Sequence, residues 1–215
     1  MGNIKQTYRQ FLQDNFEGLK LRKPLFYSWN YGLRFDLQDE KLSTRDDEYF
    51  VEVVRRALAI FETAFESSDK LFFVFKDYRN HQEKIRPANY AFRQIDKLEK
   101  NEIFYTREKF VYCPNDEYNV ALVYLTVDRI NYKNILTAIG HTDFPPRQPR
   151  LDKLGVSTSK EIYFLNIDRR LIFHMYDDRG LDIIAADTEI LRPIYEKHND
   201  LILDYDKERI DKQFE

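Results

Sequence analysis

The stretch Glu161-Ile-Tyr-Phe-Leu-Asn-Ile-Asp-Arg-Arg-Leu-Ile-Phe-His-Met-Tyr-Asp-Asp-Arg-Gly-Leu-Asp-Ile-Ile-Ala-Ala186 decides the fold. It holds three runs of strand length, Glu161–Asp168, Leu171–Tyr176 and Leu181–Ala186. Only Asp168-Arg169-Arg170 and Asp177-Asp178-Arg179-Gly180 separate them. A parallel crossover needs a dozen or more residues, so connectors this short make the runs antiparallel neighbours in a meander. Alternation along the middle run puts His174 and Tyr176 on the face opposite Phe173 and Met175.

Working outward, Ile103–Tyr112 and Tyr118–Val127 are two more strand-like runs, and Cys113-Pro-Asn-Asp-Glu117 between them has the chemistry of a hairpin turn. Leu71-Phe-Phe-Val-Phe75 reads as a buried strand. Phe26–Leu37 alternates loosely, with Gly32 marking a bulge or a break. Helical spacing recurs in Ile4–Phe16 and in the stripe from Phe50 to Phe65, which follows a capping box of Thr44 and Asp47. Asn131 caps a helix running to about Gly140, Thr188 one running to about Lys197, and Asp206 a closing one to Phe214. Leu201–Tyr205 reads as extended, and residues 77–101 as loop plus a short helix. The expectation is one α+β domain over residues 1–215, an antiparallel meander sheet with helices packed mainly on one face. The proline-rich loop 143–150 is either a surface loop of that domain or an internal boundary.

Composition narrows the classes. Of 215 residues, 43% are hydrophobic and 33% charged, enough for a core and a solvated surface. Seventeen Phe and fifteen Tyr exclude a disordered chain. No apolar run approaches the roughly 18 residues of a membrane span. The single Cys113 forms no intramolecular disulfide and no cysteine-based zinc site, which fits a reducing compartment. Residues 1–7 lack the apolar core of a secretory signal, so the expected location is the cytoplasm. Net charge is -3, yet Tyr176–Glu215 carries 12 acidic against 6 basic side chains. With a pI near 5.9, nucleic acid is not an expected partner. An acidic face of that kind is either ordinary solvated surface or a surface that steers a basic protein partner.

No phosphate-binding glycine loop, nucleophile elbow or paired-histidine zinc motif occurs, so no catalytic residue and no cofactor is assigned. The cluster His174, Asp177, Asp178, Arg179, Gly180 and Asp182 admits three readings. As a hairpin turn, Asp177 accepts backbone N–H bonds, Gly180 supplies a positive φ, and Arg179 pairs with the carboxylates. As a contact surface, Asp177, Asp178, Arg179 and Asp182 meet a partner, while Trp29, Tyr31 and Arg34 form either a second aromatic-basic patch or a core aromatic with a half-exposed rim. As a metal or acid/base site, His174, Asp177, Asp178 and Asp182 offer nitrogen and oxygen ligands.

The run Phe173-His-Met-Tyr-Asp-Asp-Arg-Gly-Leu-Asp-Ile-Ile-Ala185, with Tyr195, Ile202-Leu-Asp-Tyr-Asp206, Arg34-Phe35 and the helix Tyr49-Phe50…Arg56-Ala57…Ile60-Phe61-Glu62, resembles an uncharacterised bacterial domain-of-unknown-function family. The resemblance spans about residue 20 to the C-terminus and implies no activity. At the level of fold class the chain is also similar to bacterial immunity proteins and antitoxins, which bind and block a toxin. The functional expectation is a non-enzymatic, immunity-like protein-binding module with an acidic C-terminal surface. The alternatives are a metal-assisted hydrolase built on the histidine–aspartate cluster, or a scaffold or assembly protein.

Overall fold

A computed structural model describes residues 4–78, 85–109, 117–152 and 159–215. Among these residues, seven strands form one antiparallel sheet: β1 (Gly32–Asp36), β2 (Lys70–Tyr78), β3 (Ile103–Lys109), β4 (Glu117–Thr126), β5 (Lys160–Asn166), β6 (Leu171–Met175) and β7 (Gly180–Ala185). Their order is β1-β7-β6-β5-β2-β4-β3, so the expected meander β5-β6-β7 lies within the sheet and β4-β3 forms one end of it. The turn residues 113–116 of that β3–β4 connection lie outside the described residues. Among the described residues, five α-helices accompany the sheet: α1 (Ile4–Phe16), α2 (Asp47–Ala64), α3 (Tyr132–Gly140), α4 (Thr188–Lys197) and α5 (Asp204–Asp211).

Most helices do share one face. Phe50, Val53, Phe61, Ile135, Leu136, Leu191 and Ile194 pack there against Phe73, Phe75, Phe164, Phe173 and Ile183. The other face is smaller and belongs to α1 and the segment after it. Tyr8, Phe11, Phe16, Leu21 and Leu25 cover Phe72, Val74, Leu122, Leu165, Ile172 and Ile184. Strands covered on both faces need no polar side, which is why β5, β6 and β7 read as nearly continuous apolar runs.

Several local expectations change. Only Gly32–Asp36 of the Phe26–Leu37 segment is strand, while Phe26–Ser28 forms a turn of 3₁₀ helix. Asn131 caps α3, accepting from Asn134 N at 3.1 Å. The cap of α4 is Asp187 rather than Thr188, and it accepts from Glu189 N at 2.8 Å. At α2 the N-cap is Asp46, and no side chain caps the helix. Ile202 reaches β1 only as a single bridge to Phe35, and α5 begins at Asp204, leaving Asp206 inside its first turn. The proline-rich loop lies against α2: Arg147 bonds Asp47 at 2.7 Å and covers the Phe50 ring at 3.8 Å.

Candidate functional site

The β6–β7 connection is a built turn. Asp177 Oδ1 accepts from Arg179 N at 2.8 Å, Oδ2 accepts from Arg179 Nε at 3.0 Å, and Arg179 Nη2 closes a second bond to the same oxygen. Tyr49, at the start of α2, donates its hydroxyl to Asp178 Oδ2 at 2.5 Å and receives Gln38 Nε2 at 2.9 Å. Burial pushes the Asp178 carboxyl above its ordinary range, and neighbouring Asp177 adds to the shift. Asp177 and Asp178 are thus buried, and of the turn only Arg179 faces outward, its side chain 62% exposed.

Gly180 is indispensable here for a different reason from the expected one. Its φ does not lie in the left-handed region. A Cβ at this position would come within 2.5 Å of Phe35 O, and the Tyr176 hydroxyl occupies the same space. The turn needs room, not a positive φ.

Behind the turn, on the face covered by α1, polar side chains run in a row across the sheet. Arg34 sits opposite Asp182, and Asp182 opposite His174. His174 stacks on Tyr163 with ring centroids 4.1 Å apart. Tyr163 and Tyr118 both donate to Glu161, at 2.7 and 3.1 Å. Lys76 lies 4.4 Å from the Tyr118 ring centroid and donates to Leu21 O at 2.7 Å.

Each member is bound internally. His174 Nδ1 meets Ile162 O at 2.8 Å, and because a carbonyl only accepts, the proton sits on Nδ1. Nε2 is buried with no hydrogen-bond partner. Burial pulls the imidazole down to about 4, so it is neutral at neutral pH. Asp182 accepts from Phe26 N at 3.1 Å and stands 3.6 Å from Arg34 Nε. Burial outweighs these contacts and raises its carboxyl to about 6.

The expected metal set therefore divides. Among the described residues, the carboxylates close enough to share an ion are Asp143, Asp177 and Asp178, with ligand atoms within 4.8 Å of one another. Asp177 of that trio is already bonded to the Arg179 guanidinium, while His174 and Asp182 bond elsewhere. The expected contact set is also largely turned inward. Asp182 is fully buried, Arg34 mostly so, and Trp29 spends its Nε1–H on Ala185 O at 2.7 Å with its ring against Phe16.

What the row supports is an outward aromatic that sequence reasoning passed over. Arg34 lies 3.7 Å from Asp206 and 5.1 Å from the Tyr27 ring centroid. Tyr27 donates its hydroxyl to Asp206 at 2.9 Å, and Arg209 of α5 covers its ring at 5.6 Å. Tyr27 remains 43% exposed, and Tyr205, four residues before Arg209 on α5, is 86% exposed. Asp204 and Glu208 stand exposed beside them. The one available signal was Tyr205 itself, an aromatic flanked by Asp204 and Asp206.

The family model "Domain of unknown function (DUF3885)" matches residues 8–206. "Uncharacterized protein YnaE" of Bacillus subtilis (strain 168) is 26% identical over 222 residues, covering 91% of this chain and 96% of that protein. No solved structure matches. Neither name carries an activity, a substrate or a partner.

Proposed function

The chain belongs to the DUF3885 family, and on that premise we propose that it is a non-enzymatic protein-binding module, immunity-like in role. Its contact surface is the corner where α5 meets the Phe26–Ser28 turn. The carrying observation is that Tyr27 is exposed and yet held in place by a buried ionic network of Arg34, Asp182 and Asp206. Tyrosine and arginine dominate binding hot spots because they bring large area at small entropic cost, and a pre-ordered ring reduces that cost further. Tyr205 and Arg209 share one helix face at i, i+4 and extend the patch. The exposed carboxylates of Asp204 and Glu208, beside Tyr205 on α5, suit a basic target. Metal-assisted hydrolysis has less support, because Asp177 is already bonded to the Arg179 guanidinium and, among the described residues, the imidazole is not part of the Asp143, Asp177 and Asp178 group.

The test is affinity capture of the tagged chain from its native lysate at low and high salt, beside a Tyr205→Ala/Arg209→Ala variant. One stoichiometric partner, lost at high salt and lost in the variant, is the expected result. The variant's melting curve should match the parent's, since surface changes of this kind cost within about 0.5 kcal/mol. An empty capture, or a partner that the variant retains, would refute the reading.

A further inference from the structure

We propose that two copies of the protein associate edge to edge through β3, joining their sheets into one antiparallel sheet. Among the described residues, β3 ends the strand order and pairs only with β4. Among the described residues, no backbone group from Phe104 to Lys109 bonds anything beyond β4. Such an edge presents a row of unmet N–H and C=O groups. Its register with β4 runs unbroken for seven residues, with neither proline nor bulge to turn the edge away. The opposite edge is closed, because Leu203 N bonds Arg34 O at 2.9 Å and Ile202 bridges Phe35.

A second copy fits this edge because the strand is complementary to itself. A two-fold axis at Thr106 sets Tyr105 opposite Arg107 of the second copy, and Phe104 opposite its Glu108. Tyr105 is 44% exposed and the Arg107 side chain 65%, so ring and guanidinium can stack across the join, twice by symmetry. Glu108 stays with its own chain's Lys76, 3.1 Å away, so the join rests on the two ring–guanidinium stacks and not on a new ion pair. An axis one residue further along sets Arg107 against itself, and the next sets Glu108 against itself. Like charges directly opposed are unfavourable, which disfavours those two registers, and of the registers that avoid them the one centred on Thr106 sets both Tyr105 rings against guanidinium groups.

Sedimentation equilibrium on the full chain tests this, with Arg107→Glu as the disrupting variant. At high concentration the parent should show twice its 26.1 kDa mass. Loss of both stacks should weaken the association about tenfold or more. Thr106→Cys in a Cys113→Ser background should form a disulfide-linked dimer on mild oxidation, which keeps the test open should Arg107→Glu fail to fold. A single-chain mass for the parent at every concentration overturns the proposal. So does a dimer that persists in Arg107→Glu while Thr106→Cys stays unlinked, because the contact then lies on another surface.

Discussion

Gly180 and the His174–Asp182 pair show how much one position can decide. Gly180→Ala should destabilise the fold by about 1–3 kcal/mol in urea titrations, because the methyl group is driven into Phe35 O and the Tyr176 hydroxyl. A variant with parental stability would mean that β7 can shift to make space. His174 and Asp182 face each other across β6 and β7 and titrate in opposite senses. His174 is held at about 4 against an unfolded value of 6.5, so acidification through that interval favours the unfolded chain. Asp182 is held at about 6 against 3.8, so over much the same interval acid favours the folded chain. Each is on the order of 3 kcal/mol, and between about pH 6 and 4 the two largely cancel. His174→Phe should therefore gain stability relative to the parent on going from about pH 7 to about pH 4.5, and Asp182→Asn should lose it. Urea midpoints at the two pH values check this, and variants that both follow the parent's slope would contradict it.

At the scale of elements, the β6–β7 turn is stapled to its surroundings by its own carboxylates. Charge reversal of Asp177 and Asp178 to Lys puts two cations where Tyr49 and the Arg179 guanidinium now donate, so the melting temperature should fall steeply. Calorimetry of the double variant decides: parental melting would mean these side chains are free to serve a partner. The strands themselves were legible because length and aromatic content suffice to mark a buried strand, as in Leu71–Phe75 and Leu171–Met175. Caps were less so. Asp187 and Thr188 are both competent cap residues one position apart, and the backbone conformation that chooses Asp187 is set by where β7 ends. The Phe26–Leu37 segment was misread for a similar reason. Phe26 N is taken by Asp182, and no local pattern announces a bond between residues 156 positions apart.

Across the whole molecule, the acidity of the C-terminal forty residues turns out to be partly internal. Of their twelve acidic side chains, Asp177, Asp178, Asp182 and Asp206 are buried and serve the fold. Counting charges along the chain could not separate them from the exposed Asp200, Asp204 and Glu208, because burial is decided by tertiary pairing. The candidate contact corner was hidden for the same reason, since Tyr27 and Asp206 are 179 positions apart. The strand order carries a consequence for how the protein is made. β1, from the first part of the chain, completes its pairing only with β7 and the segment around Leu203. A nascent chain on the ribosome must hold Leu33 and Phe35 unpaired until β7 and the segment around Leu203 have emerged, so that side of the sheet closes only after the strands between have been made.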